Sequence, residues 1–350
     1  MSMVGVRLHA PREMKVEQLS EPGPPGKGQT LIKVGSAGIC GSDLHAYLEG
    51  RIGDTALRGP LVMGHEFAGT VVAVGDDALT EAGVNLVTGM RVAVDPAQPC
   101  GECELCQRGH PNLCTNLHFC GLFPDGGCYC ERMTVPANTC FPIPDSMDLE
   151  TGALLEPLGV ALHAVSLAKP KADESAAIIG AGPIGLLLLQ AATLSGMKPV
   201  YVIEQLPWRL ALIEKFGGIP IDSARVNPLE KLKILTLGRG VDVVFEAAWA
   251  DSTVQLAADM ARHGGRVVLV GIPREDDLVM RHSTARRKGL TILLSRRMKY
   301  TYPRAIDLVS KGLIDVKSIV SHRFPLTQLP EAFALNADYR DNAVKVMITY

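Results

Sequence analysis

Four cysteines lie close together in the middle of the first half of the chain and have the spacing C-x2-C-x2-C-x7-C: Cys100, Cys103, Cys106 and Cys114. Four thiolates this close in sequence can surround one Zn²⁺ as a tetrahedron, which leaves no coordination position open. Such a site is structural and supports a lobe that has little core of its own. A disulfide cluster and an iron–sulfur cluster are the alternatives, and the absence of an export signal counts against the disulfides.

A second set of ligand-type residues is spread along the chain: Cys40, His65, Glu66 and Glu156. Taken singly, each has an ordinary interpretation, since a lone buried histidine is common in cores and Glu156 precedes a proline. Together they supply one thiolate, one imidazole and two carboxylates, which suits a catalytic zinc with one exchangeable position. The sequence leaves open whether Glu66 or Glu156 ligates the metal directly.

A glycine turn interrupts a long uncharged stretch that would otherwise resemble a membrane span. The turn has the pattern G-x-G-x-x-G at Gly180, Gly182 and Gly185, and it predicts that a pyrophosphate binds at the start of the following helix. The strand Ala176–Ile179 precedes it, a helix from about Ile184 to Ser195 follows, and a second strand covers Pro199–Ile203. The predicted cofactor-contacting residues of the turn are Gly180, Gly182, Pro183, Ile184 and Gly185.

Glu204 directly follows the second predicted strand, where a carboxylate accepts hydrogen bonds from an adenosine ribose. Its charge would repel a 2′-phosphate, so the pattern favours NAD over NADP. Arg209 lies nearby and leaves the strictness of that preference open.

Composition restricts the function further. The chain has 350 residues, of which 47% are hydrophobic, and this length fits two domains. A net charge of −2 argues against a nucleic-acid or acidic-membrane partner. The nine cysteines are an odd number, and the N-terminal residues show no apolar signal segment. We therefore expect reduced thiols and a cytoplasmic protein.

The pattern of elements predicts an α/β protein with two domains. Residues 1–150 contain short strands divided by Gly and Pro turns, which indicates a small barrel or sandwich. Residues 151–297 alternate strands with helices, which indicates a doubly wound parallel sheet. The segment 298–350 is expected to rejoin the first domain. The strands predicted in the first domain are Thr30–Val34, Gly69–Val74, Arg91–Val94 and Glu131–Val135, and those predicted later are Val241–Ala247, Arg266–Ile272 and Leu290–Ser295.

Several of these motifs, in this order, resemble the zinc-dependent medium-chain alcohol dehydrogenases: GHEFAG, the cysteine lobe and GAGPIG. Within that superfamily the chain is most similar to the polyol (sorbitol and xylitol) dehydrogenases. The narrower resemblance rests on CGSDLHAY, GRIGD at 50–54, HFCGLFPDGG at 118–127, GALLEPLGVALHA at 152–164 and RMKYTYPRAI at 297–306. It implies a GroES-like catalytic domain, a Rossmann NAD-binding domain and two zinc ions, one catalytic and one structural.

The resemblance also assigns roles to single residues. Cys40, His65 and Glu66 match metal-binding positions, and Glu156 matches the acid that holds the metal or its water. Ser42 and His45 match groups associated with proton transfer, and Phe119 and Arg297 match positions that line the substrate pocket. The best-studied animal polyol enzymes lack the four-cysteine lobe, and the stretch Ala46–Glu49 differs from theirs.

The resemblance implies the reversible oxidation of a secondary alcohol of a polyol to a ketose, with NAD as hydride acceptor. A vicinal diol or L-threonine is the alternative substrate, although the EPLG segment counts against threonine. A metal-free reductase and a non-catalytic protein of the same fold have no use for the complete ligand set. The resemblance also implies that the strand Leu290–Ser295 lies at a sheet edge and pairs with its copy in a second subunit, so we expect a homodimer or homotetramer.

Overall fold

The computed structural model describes residues 2–248, 250, 252–273 and 277–350, which form two units that share no sheet. The first unit contains residues 2–156, 302–311 and 316–350, and the second contains the described residues of 157–301 together with 312–315. These divisions fall a few residues beyond the predicted ones at 150 and 297. The sequence-based domain bounds did not anticipate that the short segment 312–315 belongs to the second unit.

The first part of the chain is rich in strands and carries four helices. The strands are β1 (Ser2–Ala10), β2 (Glu13–Ser20), β3 (Gln29–Gly38), β4 (Arg51–Ile52), β5 (Thr55–Ala56), β6 (Leu61–Val62), β7 (Glu66–Val74), β8 (Arg91–Val94), β9 (Ala97–Gln98), β10 (His118–Phe119), β11 (Arg132–Pro136) and β12 (Cys140–Pro142). The helices are α1 (Gly41–Glu49), α2 (Glu104–Gln107), α3 (Leu149–Ala153) and α4 (Leu155–Ala168).

From residue 176 onward strands and helices alternate. The strands are β13 (Ala176–Ile179), β14 (Val200–Glu204), β15 (Ile219–Asp222), β16 (Val241–Glu246), β17 (Ala261–Leu269), β18 (Thr291–Leu294), β19 (Val320–Pro325) and β20 (Lys345–Thr349). The helices are α5 (Pro183–Leu194), α6 (Pro207–Lys215), α7 (Pro228–Leu235), α8 (Thr253–Met260), α9 (His282–Lys288), α10 (Tyr302–Ser310) and α11 (Leu329–Ala337).

The larger sheet of the first unit has the strand order β12-β8-β7-β3-β20-β19, and β11 also pairs with β3. Strand β20 comes from the last residues of the chain and pairs antiparallel with the end of β3, where Met347 lies opposite Gly38. This pairing places Lys345 in the same sheet as the segment that leads into α1. The inward faces of β3, β7 and β8 are buried and mostly apolar, so the sheet provides a firm support for the residues at its ends.

The sheet of the second unit is parallel and has the order β15-β14-β13-β16-β17-β18. The strand order reverses between β13 and β16, and doubly wound sheets bind ligands at the carboxyl ends of the strands at this point. Strands β13 and β16 are buried along their whole length. β13 is a continuous apolar run, as is usual in a parallel sheet, whereas β16 also contains the buried carboxylates Asp242 and Glu246. The predicted α/β class, with a β-rich first region and a doubly wound parallel sheet, is confirmed.

The consecutive helices α3 and α4 form the stretch Leu149–Ala168, which is long and apolar enough by length and composition to cross a membrane, with a mean hydropathy of 1.3. However, 83% of its apolar window is buried inside the protein. This burial is typical of a core helix.

The basic run Arg286–Lys288 forms the last turn of α9. The Lys288 ammonium donates hydrogen bonds to three backbone carbonyls, those of Ala258, Asp259 and Ala261, at 2.6 to 2.9 Å. A lysine at this point satisfies carbonyls that the end of α8 leaves without helical partners.

Candidate functional site

Three ligand-type side chains meet where strand β3 ends and strand β7 begins. The sheet register pairs Gly38 with Glu66, which brings the segment that follows β3 to the residues that start β7. As a result, the Cys40 sulfur, a His65 ring nitrogen and a Glu66 carboxylate oxygen all lie within 4.8 Å of one another. His65 and Glu66 are buried, and Cys40 is half-buried. This donor set of thiolate, imidazole and carboxylate is one that a catalytic zinc accepts.

Asp43, which has no role in the sequence-based prediction, lies behind His65. Its Oδ1 is 3.4 Å from His65 Nδ1, and its Oδ2 accepts hydrogen bonds from the Cys40 N–H at 3.1 Å and the Tyr129 hydroxyl at 2.9 Å. With Nδ1 directed at Asp43, Nε2 is the ring nitrogen that remains for a metal. A carboxylate in this position fixes the tautomer and orientation of a ligand histidine.

The electrostatic field at this place favours positive charge. Burial alone would lower the pKa of His65, but Asp43 and Cys40 raise that pKa well above its ordinary value. Burial would likewise raise the pKa of Asp43, but His65 and the hydrogen bonds from Cys40 and Tyr129 hold it below its ordinary value. The charge and the chemistry of these residues therefore fit a zinc ion.

Lys345, on strand β20, is a further residue that the sequence-based prediction missed. Its side chain is 1% exposed, and its ammonium donates hydrogen bonds to Glu66 Oε2 and, at 2.9 Å, to the Ile39 carbonyl oxygen. Gly38 makes room for this contact, because a Cβ at Gly38 would lie 2.1 Å from Glu66 Oε2. One oxygen of Glu66 is thus paired with a cation, and the carboxylate is held in a fixed position at the cluster.

Glu156 lies in the first turn of α4 and is 5% exposed. Among the described residues, it is not part of the group whose ligand atoms lie within 4.8 Å of one another. Burial raises the pKa of Glu156 to about 8, with Glu66 and Asp95 acting in the same direction and His65 and Lys345 opposing it. Glu156 is therefore electrostatically coupled to the cluster without belonging to it.

The structure brings some of the remaining predicted residues to this cluster. Phe119 lies beside His65, with 5.3 Å between the ring centroids. Ser42 and His45 are both on α1, three residues apart and therefore on one side of the helix, and His45 is buried. Arg297 belongs to the second unit, where its φ of 57° places the backbone in the left-handed region. Its relation to the substrate stays a prediction.

The four cysteines of the lobe form a second cluster, in which all sulfur atoms lie within 4.8 Å of one another. The Cys100–Cys114 and Cys103–Cys114 sulfur distances are 3.4 and 3.8 Å, too long for the roughly 2.05 Å of a disulfide bond. All nine cysteines are free thiols. The Cys103 N–H and the Cys100 N–H each approach a sulfur, at 3.4 and 3.3 Å, so the backbone itself is wrapped around the cluster.

The thiols of this cluster do not ionise independently. Hydrogen bonds from the Cys106 and Thr115 N–H groups lower the pKa of Cys103 to about 6. Burial and the hydrogen bond to Cys103 raise the pKa of Cys106 to about 12. Because one thiolate suppresses the ionisation of its neighbours, a cation is needed to deprotonate all four, and zinc supplies that charge.

The other cysteines outside the lobe and the first cluster, Cys120, Cys128, Cys130 and Cys140, are buried. Burial raises the pKa of Cys120, Cys130 and Cys140 to about 12, which makes them unreactive thiols. His163 on α4 is also buried in the core.

The glycine turn lies at the carboxyl end of β13 in the second unit. Gly180 has a φ of 97°, and a Cβ at Gly185 would lie 1.8 Å from the Gly180 carbonyl oxygen, so helix α5 packs closely on the strand. Among the described residues, a Cβ at Gly182 would have one neighbour within 4 Å, Arg209 Nη1 at 3.8 Å. The described surroundings of Gly182 therefore leave space beside a guanidinium, which suits a pyrophosphate.

Glu204 is the last residue of β14 and links the turn to the chain beyond the strand. Its Oε2 accepts a hydrogen bond from the Ala181 N–H at 2.9 Å, and its Oε1 accepts from the Gln205 and Leu206 N–H groups at 2.7 and 3.1 Å. Arg209 Nη1 lies 3.6 Å from Oε2. The acid and the arginine therefore stand together beside the turn.

Comparisons with known proteins agree with this geometry. A family model described as the alcohol dehydrogenase GroES-like domain matches residues 26–145, and a second, described as zinc-binding dehydrogenase, matches residues 183–311. The sorbitol dehydrogenase of Bacillus subtilis is 34% identical over 99% of this chain and 97% of its own length.

Two solved structures are similar over nearly the whole length of both chains. An alcohol dehydrogenase from Escherichia coli, complexed with NADH, has a TM-score of 0.89 and 30% identity, and covers 100% of this chain and 99% of its own. The 2R,3R-butanediol dehydrogenase from Bacillus subtilis has a TM-score of 0.86 and 31% identity, and covers 99% of each chain.

Proposed function

Since this chain belongs to the zinc-dependent medium-chain alcohol dehydrogenases, we propose that it catalyses the reversible NAD-linked oxidation of a secondary alcohol of a polyol to a ketose. The observation that carries the proposal is the buried cluster of Cys40, His65 and Glu66, with Asp43 and Lys345 fixing two of its members. The sorbitol dehydrogenase that is similar over almost the whole chain supports a polyol as substrate.

The protein is a zinc- and NAD-dependent alcohol or polyol dehydrogenase. We propose two zinc ions per chain, one catalytic and one structural, because the described residues form two clusters of metal-ligand side chains. We assign the catalytic zinc to Cys40, His65 and Glu66, and the structural zinc to Cys100, Cys103, Cys106 and Cys114. When bound, the catalytic zinc supplies a Lewis acid that polarises the substrate hydroxyl.

The residues around the cluster hold the substrate and move its proton. Phe119 forms an apolar wall next to His65. Ser42 and His45, on one side of α1, are assigned to the path by which the hydroxyl proton leaves. Glu156 is the buried acid that holds a proton or a water beside the cluster, because burial raises its pKa to about 8. Arg297 is assigned to the substrate pocket on the family resemblance alone.

We assign NAD to the second unit and the chemistry of the metal to the first. Gly180, Gly182, Pro183, Ile184 and Gly185 would hold the pyrophosphate at the start of α5. Glu204 is assigned to the adenosine ribose, and Arg209 is the cation beside it. The nicotinamide, when bound, accepts the hydride from the carbinol carbon.

We further propose a homodimer, alone or as half of a tetramer, in the cytoplasm. Strand β18 is an edge of the parallel sheet, and its Leu294 is 65% exposed. Pairing with a second copy would cover that edge. Nine free thiols suit a reducing compartment.

A vicinal diol is the second candidate substrate, favoured by the similarity to the butanediol dehydrogenase. L-Threonine is the third. Assays with sorbitol, xylitol, 2,3-butanediol and L-threonine, each with NAD, would separate the three by the absorbance of reduced nicotinamide. We expect kcat/KM to be highest for a polyol. If it is highest for the diol or for threonine, that compound replaces the polyol as the proposed substrate. Turnover with none of them, by a preparation with two zinc ions per chain, would contradict all three substrates.

A further inference from the structure

Glu246 ends strand β16, directly beside strand β13 and its glycine turn. In the parallel register it lies opposite Ile179 on β13 and Leu269 on β17. Because the strand order reverses between β13 and β16, Glu246 stands at the switch point where doubly wound sheets bind their ligands. Its side chain is buried, with 3% exposure of the residue, and no role assigned above uses it.

The carboxylate and the backbone of Glu246 hold two chain segments together. Oε1 accepts hydrogen bonds from the Ala248 N–H and the Thr253 hydroxyl, both at 2.9 Å. The backbone carbonyl oxygen of Glu246 accepts from the Val270 and Gly271 N–H groups at 2.8 and 3.0 Å. Thus a single residue fixes the chain that leaves β16 and the chain that leaves β17.

The position of Gly271 shows how closely these segments pack. A Cβ at Gly271 would lie 2.6 Å from Glu246 Oε2 and 2.3 Å from the Ala248 carbonyl oxygen. Burial raises the pKa of Glu246, while hydrogen bonds from Ala248, Thr253 and Gly271 oppose the rise. Burial disfavours the charged form of this carboxylate. A buried carboxylate with such a shifted pKa is typical of a residue that has a specific role.

The segment that Glu246 holds packs directly on the first glycine of the turn. The Ala247 N–H donates to the Ile179 carbonyl oxygen at 2.9 Å and so extends the sheet by one residue. A Cβ at Gly180 would lie 2.9 Å from the Ala247 carbonyl oxygen and 3.2 Å from the Ala248 Cβ. Any shift of Ala247 and Ala248 therefore changes the surface next to the turn.

We propose that Glu246 is a positioning residue for the nicotinamide half of NAD. A doubly wound sheet consists of two mononucleotide-binding halves, and the adenosine half is assigned to β13–β15 through Glu204. The remaining nucleotide then lies over the half formed by β16–β18, where Glu246 holds the residues that directly follow β16 and β17. Residues that are held in place before binding spare the cofactor the cost of ordering them. This inference rests on the proposed NAD-dependent function.

The test compares NAD with AMP, a probe of the adenosine half, on the zinc-loaded full chain. Glu246→Gln keeps one acceptor oxygen for Ala248 and Thr253 but replaces the oxygen beside Gly271 with an amide donor, which cannot accept the hydrogen bond from the Gly271 N–H. We expect the Kd for NAD to rise about 10-fold, equivalent to about 1.4 kcal/mol, while the Kd for AMP changes less than about 2-fold. In turnover, the KM for NAD should rise more than kcat falls. Equal NAD affinity in the variant and the wild type, or a parallel loss of AMP affinity, would overturn the proposal.

Two further variants separate positioning from stability. Asp242 is a buried carboxylate on the same strand and accepts hydrogen bonds from Ser175, Arg239 and Arg262. Asp242→Asn should lower the Tm and leave the ratio of the Kd for NAD to the Kd for AMP unchanged. Thr253→Val removes one hydrogen-bond donor but keeps the charge of Glu246. It should raise this ratio of Kd values by about 3-fold.

Should Glu246→Gln fail to fold, Thr253→Val decides: an unchanged ratio contradicts the proposal. A ratio that shifts as much in Asp242→Asn as in Glu246→Gln would show a structural effect only, which also contradicts it. Wild-type protein that binds AMP but not NAD would instead overturn the proposed function.

Discussion

The Nδ1 atom of His65 lies 3.4 Å from Oδ1 of Asp43, and both side chains are buried. The same carboxylate accepts a hydrogen bond from the N–H of Cys40, so Asp43 is in contact with two of the three residues assigned to the catalytic metal. Asp43 also caps helix α1 in a reciprocal arrangement with Cys40. The capping of the helix and the orientation of the metal ligands therefore depend on one side chain.

Asp43→Asn should lower zinc occupancy and turnover and leave NAD binding unchanged. The amide has the shape of the carboxylate but not its charge, so it no longer stabilises positive charge at His65. Changes of residues that orient metal ligands typically cost about 10–100-fold. Zinc content and kcat/KM should be measured on one preparation. Tyr129→Phe removes one hydrogen bond to Asp43 and keeps its charge, and should cost less. An equal loss in both variants would contradict the electrostatic explanation.

Lys345→Met should destabilise the first unit, because it leaves the buried Glu66 carboxylate without its cation. Removing one partner of a buried pair costs about 3–5 kcal/mol. Thermal unfolding with zinc and with a chelator should show the larger loss in the chelator, where no other cation faces Glu66. The double variant with Glu66→Gln should recover part of the stability, and no recovery would argue against the pair as the cause.

Much of the fold can be predicted from local pattern alone. The bounds predicted for Arg91–Val94 and Ala176–Ile179 agree with those of β8 and β13. Each is a short apolar run between clear turn or loop signals, so the hydrophobic pattern and the residue composition are sufficient to predict a strand there. Helix α1 was missed because GICGSDLHAY contains poor helix formers and no apolar stripe. It is stabilised instead by the Cys40–Asp43 cap and by the burial of Leu44 and Tyr47.

The ligand types of the candidate site are visible in the sequence, but the residues behind them are not. Cys40 and His65 are recognisable by their chemistry, whereas Asp43 and Tyr129 have many ordinary interpretations. Only the sheet register brings them together, and register is a tertiary property. Lys345 did leave a signal, since it interrupts the apolar run AVKVMI, and a lysine that is buried in such a run requires a partner. Its partner, Glu66, is distant in sequence and was not predictable from it.

Glu204→Ala should weaken NAD binding and narrow the difference between NAD and NADP. The change removes the carboxylate that is assigned to accept hydrogen bonds from the ribose, and a hydrogen bond to a charged group contributes roughly 1.5–3 kcal/mol. It also releases Arg209, whose Nη1 lies 3.6 Å from the carboxylate, to meet a 2′-phosphate. Dissociation constants for both cofactors would check this. An unchanged ratio would mean that Glu204 only supports the turn through the Ala181 N–H.

Cys103→Ser should lower stability while the folded fraction keeps its activity. Closed zinc sites contribute their binding energy to folding, and a hydroxyl is a poor replacement for a thiolate. Thermal unfolding and turnover per folded molecule should be measured together. Cys140→Ser is a matched control, because Cys140 is a buried thiol outside both clusters. It should leave the zinc content at two per chain, whereas Cys103→Ser should reduce it. If Cys103→Ser folds normally but has no turnover, the cysteine lobe takes part in catalysis instead.

Leu294→Lys should convert a dimer into a monomer if the copies pair through strand β18. Leu294 is 65% exposed at the edge of the parallel sheet, and a lysine there would place two charges, one from each copy, in the paired edge.

Leu237 is a matched control, because it is 96% exposed in the same unit but follows helix α7 and belongs to no strand. Leu237→Lys should therefore remain a dimer. Sedimentation equilibrium at micromolar concentration distinguishes the expected monomer of Leu294→Lys from the expected dimer of Leu237→Lys. A monomeric wild type would contradict the association, and a dimer that survives Leu294→Lys would place the interface elsewhere.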